Sequence, residues 1–289
     1  MNRTVAASMI VLGCAQGIIA PTSASAQEEV KVEPDVVYGH KFGLAMTLDA
    51  FHPPGIANGA GVMFMVSGGW HSRWFPPERG KAMFKPLLDE GFTVFAVRHG
   101  SSPKFKIPEV VADVRRAARF LRLNAERFKI DPARLGVFGG SAGGHLSLML
   151  ATTGDDGDPK SKDPILRASS RVAAAVALYP PTDVRPWVNE DSPYWKNYPA
   201  LQFDPQKSGD YSPLLHVTQD DAPSLIIHGD QDKLVPLDHG EKIHKAFQEK
   251  KVASELLVIQ GAAHGFRGED KKRSDAALVA WFKKHLAPK

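Results

Sequence analysis

Cysteine is almost absent from this chain: Cys14 is the only one among 289 residues, and it falls in a stretch expected to be removed. A chain with one cysteine forms no internal disulfide, and a mature chain starting after Ala26 has no cysteine nucleophile. Metal-ligand spacings are missing too. Asp155-Asp156-Gly157-Asp158 has the acidity of a calcium loop but lacks the alternating ligands and the closing Glu, so it reads as solvated surface. No metal and no cofactor are expected. Charge excess is small, +4, and the basic residues are interleaved with acids, as in Glu249-Lys250-Lys251 and Glu269-Asp270-Lys271-Lys272-Arg273. That pattern excludes a nucleic-acid partner, which needs a clustered basic face. No internal repeat is present.

Long apolar runs are confined to Val5–Ala20, where Gly13, Gln16 and Gly17 interrupt the pattern. Arg3 precedes this run and Ala24-Ser25-Ala26 follows it, so residues 1–26 read as a signal peptide cleaved after Ala26. A secreted or periplasmic protein without stable membrane insertion follows. A bacterial lipoprotein signal, Val11-Leu12-Gly13-Cys14 with Cys14 lipidated, is the alternative.

What remains is rich in short apolar runs. With 43% hydrophobic residues, 27–289 is long enough for one large core and reads as a single catalytic domain. Runs at 61–66, 92–97, 135–138, 172–178, 224–227 and 256–259 have strand length and alternate with helical stretches. Alternation of that kind gives an α/β fold with a mostly parallel central sheet flanked by helices, to which 36–51 adds antiparallel strands at one edge. Punctuation by Pro and Gly places helices at 77–90, 109–129, 237–250 and 275–285.

Ser141 stands out within this frame. It lies in Gly139-Gly140-Ser141-Ala142-Gly143, directly after the strand-like Leu135-Gly136-Val137-Phe138 and before the helix-like 144–150. A serine hydroxyl becomes a useful nucleophile when a sharp strand-to-helix turn exposes it, with glycines that tolerate strained backbone and close neighbours. It then needs a base and a carboxylate to orient that base. His264 lies on the small-residue loop 260–266 after one strand, and Asp230 and Asp232 lie on the loop after another. The order serine, acid, histidine is complete. His228 and His145 read as packed structural histidines, and Asp183 as a loop-capping residue.

These segments resemble an α/β-hydrolase-fold serine esterase of the acetyl-esterase, hormone-sensitive-lipase-like and feruloyl-esterase-like group. The likeness rests on GGSAGGH at 139–145, HGDQDKLVP at 228–236, GAAHGF at 261–266 and SGGW at 67–70, and spans the chain from about Val36 onward. It implies a catalytic set of Ser141, Asp232 and His264, selecting Asp232 over Asp230. It also implies an oxyanion hole from the Ala142 N–H and the turn after 61–66, with Gly68 and Gly69 as donors. The group usually has His-Gly-Gly-Gly where this chain has Val66-Ser67-Gly68-Gly69, which leaves the choice among Ser67, Gly68 and Gly69 open.

Between 179 and 224 lies an insert rich in proline and aromatics, including Trp187, Tyr194, Trp195, Tyr198, Phe203 and Tyr211. In this fold it is expected over the carboxyl ends of the strands as a short cap, 180–221. Its Trp187, Tyr194 and Trp195, with Trp70, His71 and Trp74 opposite, are the candidate substrate contacts, although the aromatics would equally serve as the cap's own core. The expected partner is a small-molecule or polysaccharide ester, with acetyl or feruloyl groups on plant polysaccharide as the specific substrate. Other readings are a small-ester or lipid esterase without sugar preference, a peptidase of the prolyl-oligopeptidase type, and an inactive binding protein on the same fold.

Overall fold

A computed structural model of the chain describes Met1 and residues 29–288; the expected leader and Cys14 lie outside the described residues. In chain order the elements are β1 (Lys31–Lys41), β2 (Leu44–His52), β3 (Gly61–Met65), α1 (Pro77–Leu88), β4 (Thr93–Val97), α2 (Ile107–Leu123), β5 (Leu135–Gly140) and α3 (Ala142–Thr153). They continue with β6 (Ala174–Leu178), α4 (Pro193–Asn197), β7 (Ser224–Gly229), α5 (Asp238–Glu249), β8 (Ser254–Ile259) and α6 (Gly268–His285). The strands form one sheet in the order β1-β2-β4-β3-β5-β6-β7-β8. β1 and β2 are antiparallel to each other, β2 is antiparallel to β4, and every other neighbour pair is parallel.

The central strands read as unbroken apolar runs because both faces of the sheet are covered. In β3, Met63 and Met65 point into the core shared with α2 and α3, while Val62 and Phe64 point into the core shared with α1 and α6. Strand periodicity of two assigns alternate residues to opposite layers. On the first face α2 contributes Val110, Val114, Ala117 and Leu121, all at helical spacing and all buried. On the second, Phe84 of α1 and Trp281 and Phe282 of α6 fill the space. Losing a side chain such as Phe282 there leaves a void worth about 3–5 kcal/mol.

Two helix boundaries differ from the expectation. α2 stops at Leu123, not at 129: Asn124 leaves helical geometry at φ −107° and ψ 21°, and its backbone N–H and side-chain amide both cap the Phe120 carbonyl, at 3.0 and 2.8 Å. α6 begins at Gly268, seven residues before 275, because Glu269 and Asp270 suit a helix N-terminus and Lys271 pairs with Asp275 one turn on. The charged run that reads as plain solvated surface is therefore helical surface.

The parallel strands all run the same way, so the loops after β3, β5, β6, β7 and β8 gather at one edge, where ligands collect in such sheets. Segment 180–221 contributes α4 and three 3₁₀ turns at Pro199–Leu201, Pro205–Tyr211 and Pro213–His216, each opened by proline at its first position.

Candidate active site

The turn between β5 and α3 is strained at one residue. Ser141 has φ 54° and ψ −120°, a left-handed conformation costing a non-glycine residue about 1–3 kcal/mol. The flanking glycines are not there to adopt that conformation themselves, since none of Gly139, Gly140 and Gly143 has positive φ. They provide clearance instead. A Cβ on Gly139 would sit 2.6 Å from the Gly143 backbone, and one on Gly143 would sit 2.8 Å from the Met65 carbonyl oxygen. The Ser141 N–H donates to the Leu178 carbonyl at 2.9 Å, fastening the strained residue to β6.

Three strand ends converge here. The Ser141 hydroxyl meets His264 Nε2 at 2.9 Å, and His264 Nδ1 meets Asp232 Oδ2 at 2.7 Å. With Nδ1 donating to the carboxylate, Nε2 is left as the acceptor for the serine proton. Asp232 is held by two backbone donors, Leu234 N–H and Val235 N–H, each 2.9 Å from Oδ1. Asp230, the other acid of that loop, accepts from the Gly261 N–H at 2.7 Å and braces the loop that carries His264.

His228 lies beneath this set, its Nε2 donating to the Val235 carbonyl at 2.8 Å and standing 3.6 Å from Asp232 Oδ2. Burial lowers its pKa, so it stays neutral and leaves the carboxylate to His264. Tyr179, directly after β6, packs edge-on against His264 at 4.7 Å between centroids. Burial, aided by the nearby Asp232 charge, raises its phenol pKa and keeps it protonated.

Among the expected oxyanion donors, Gly68 needs correction. Its N–H donates to the His71 carbonyl at 3.0 Å, and the His71 N–H returns the bond, so Gly68 is committed to a local bridge. The N–H groups of Gly69 and Ala142 have no backbone partner among the described residues. Trp70 follows with φ 57°, its ring 2% exposed. Its indole N–H donates to His145 Nδ1 at 3.3 Å, and His145 Nε2 then donates to the Tyr211 carbonyl at 2.8 Å. The fully buried His145 has its pKa pushed down to about 4 by desolvation. It stays neutral and ties the turn after β3 to the insert.

Two cavity lobes border the turn after β3, each lined in part by Ser67 and Gly68. The first, about 390 Å³, contains Ser141 and His264 and is walled by Trp70, Tyr179, Trp187, Tyr194 and Tyr198. Trp187 and Tyr194 stack at 4.1 Å with planes 6° apart, and the Tyr194 hydroxyl donates to the Leu234 carbonyl at 2.8 Å. The second, about 510 Å³, includes the expected contacts His71 and Trp74 together with Arg73 and Arg79. Trp195 lines neither lobe; it packs against the core, and its carbonyl accepts from Gln202. Tyr179, Arg73 and Arg79 were not anticipated. Tyr179 was findable, since any residue just past a central parallel strand faces the cleft.

Among the described residues no group of three or more His, Cys, Asp or Glu is placed to hold a metal ion. No described helix is long and apolar enough to cross a membrane. Chemically, the arrangement can strip a proton from an alcohol, present the oxygen to an electrophile, and shelter charge developing opposite free N–H groups.

Comparison with known proteins adds a family and a fold. The family BD-FAE matches residues 48–247. Esterase LipC of Mycobacterium tuberculosis is 26% identical over 220 residues, covering 72% of this chain and 53% of that protein. Ethyl acetate hydrolase of Pseudomonas putida is 31% identical over 214 residues, covering 66% of this chain and 62% of that protein. The apo form of Thermogutta terrifontis esterase 2 superposes with a TM-score of 0.71 at 25% identity, covering 91% of this chain and 97% of that one. The chain spans little more than half the length of the first-matched relatives, 53–56%. Its sheet and flanking helices are those of the α/β-hydrolase fold.

Proposed function

The chain belongs to the BD-FAE family, and from that premise we propose that it is a serine carboxylic-ester hydrolase working through an acyl-enzyme on Ser141. The observation that carries this is the unbroken relay, 2.9 Å from Ser141 Oγ to His264 and 2.7 Å onward to Asp232. His264 Nε2 accepts the hydroxyl proton as Oγ bonds to the ester carbon. The carbonyl oxygen takes up the electron pair and is held by the N–H groups of Gly69 and Ala142. Asp232 stabilises the imidazolium, which gives its proton to the departing alcohol. A water then loses a proton to the same nitrogen, attacks the acyl carbon, and frees the acid and Ser141.

The insert 180–221 acts as a short cap, and the first lobe takes the acyl group. Its aromatic walls and 390 Å³ suit an acetyl or an aryl acyl group such as feruloyl, and the polar second lobe suits a sugar alcohol. We therefore favour acyl groups on plant polysaccharide, met outside the cytoplasm after cleavage at Ala26. A small-ester hydrolase without sugar preference is the second reading, favoured by the 31% identity to ethyl acetate hydrolase. Rates on para-nitrophenyl acetate and butyrate, methyl ferulate and acetylated xylan, beside Ser141→Ala, test both. Hydrolysis of simple esters alone removes the polysaccharide; equal rates in the alanine variant remove the mechanism. A secreted form starting at Gln27 by mass spectrometry is the expected mature product.

A further inference from the structure

We propose that the second lobe is an anion-accepting subsite for the alcohol half of the substrate, built on Arg73 and Arg79, and that the favoured alcohol is a ring carrying a free carboxylate. This rests on the ester-hydrolase reading and adds the chemistry of the leaving group. The lobe shares the lining residues Ser67 and Gly68 with the aromatic lobe, so it lies beside the lobe that contains Ser141, along the turn after β3, where the alcohol half of an ester held on Ser141 would extend.

Charge balance points to an anion. The lobe's lining has two guanidinium groups and no carboxylate. Among the described residues neither Arg73 nor Arg79 has an ion pair or a side-chain hydrogen bond, whereas Arg98, Arg116, Arg119 and Arg171 are each matched to an aspartate. The adjacent acid, Glu78, is already taken by Lys81 at 2.9 Å. Two like charges facing one concavity favour an incoming anion, and the guanidinium fork fits a carboxylate with paired bonds.

The rest of the lobe points to a ring. Trp74 is 60% exposed at the rim and presents a flat face for stacking, and Phe64, Phe75 and Met83 form an apolar floor. The aromatic lobe holds no arginine or lysine, so the acyl group stays there.

The test compares kcat/KM of the full chain for 4-acetoxybenzoate and for its uncharged amide, 4-acetoxybenzamide. At low salt the acid is expected to be preferred about tenfold, and the ratio to shrink as salt screens the arginines. The ratio should fall to about one in Arg73→Gln/Arg79→Gln and to an intermediate value in Arg73→Lys/Arg79→Lys, since the lysines retain the charge but not the paired bonds. Acetylated polygalacturonate against its methyl-esterified form asks whether the carboxylate is that of a sugar; preference in that arm identifies a uronate, and preference only in the benzoate arm identifies an aryl carboxylate. Equal rates on acid and amide in the wild type, or an undiminished ratio in the double glutamine variant, overturn the proposal. If para-nitrophenyl acetate is hydrolysed while acid and amide are treated alike, the subsite alone falls. If that ester too is untouched, the hydrolase reading falls and the subsite with it.

Discussion

The relay and the wall facing it are built in different ways. Ser141, Asp232 and His264 each follow directly from a parallel strand, and backbone bonds to the sheet or its loops hold them: Ser141 N–H to Leu178, Asp232 by two N–H donors, the His264 loop by Asp230. Trp187, Tyr194 and Tyr198 stand on a segment without a strand, tied to the rest by side-chain bonds such as Tyr194 to Leu234, His145 to Tyr211 and Thr182 to His239, and by packing on the core. The sheet fixes the chemistry, and side-chain packing of the insert on the core fixes the shape of the pocket. Substitutions in the relay should therefore abolish turnover without loss of stability, whereas substitutions in the wall should redistribute it among substrates.

The largest expected effect breaks the relay. Ser141→Ala should lower kcat/KM on para-nitrophenyl acetate by roughly 10³–10⁶-fold with the melting temperature nearly unchanged. Asp232→Asn should cost roughly 10⁴-fold, because the amide no longer accepts the Nδ1 proton and the wrong tautomer is favoured. A loss of only a few fold in either variant would mean that the strand-end residues do not form the working set. Ser141→Gly, equally inactive, should be more stable by about 1 kcal/mol in denaturant titrations, since glycine adopts φ 54° without strain.

Next come the wall substitutions. Trp187→Ala removes one partner of the 4.1 Å stack on Tyr194 and should lower kcat/KM for methyl ferulate about tenfold, while para-nitrophenyl acetate changes only a few fold. Equal losses on both esters would show that the wall supports the relay itself, and the contrast between the regions would fail.

That same contrast decides what could be read in advance. The elbow around Ser141 and the loops bearing Asp232 and His264 were legible because they are local patterns: an apolar run, a break, a reactive side chain. The central strands were legible for the same reason. Helix ends were not, since Asn124 and the pairs around Lys271 act through bonds one turn away. The place of Trp195 outside the cavity, the commitment of Gly68 to His71, and the meeting of Arg73 with Arg79 depend on the path of the chain in space. Composition gives the insert's aromatics but not which of them turn inward.

The last expected effect tests the link between the two regions. His145 and His99 are buried and neutral, with pKa values pushed from the ordinary 6.5 to about 4 by desolvation. The unfolded chain therefore binds more protons than the folded one between those values, and stability falls as pH drops from 6.5 toward 4, by at most about 1.4 kcal/mol per pH unit for each histidine. Above 6.5 both states are neutral and this contribution is flat. Protonating His145 Nδ1 also removes the acceptor for the Trp70 indole and frees the turn after β3, while Nε2 goes on donating to the Tyr211 carbonyl. Scanning calorimetry from pH 7.5 to 4 should show His145→Phe with a lower plateau but a shallower decline than the wild type. Parallel curves would mean that the histidine is protonated in the fold at little cost, and that the turn after β3 is held by other contacts.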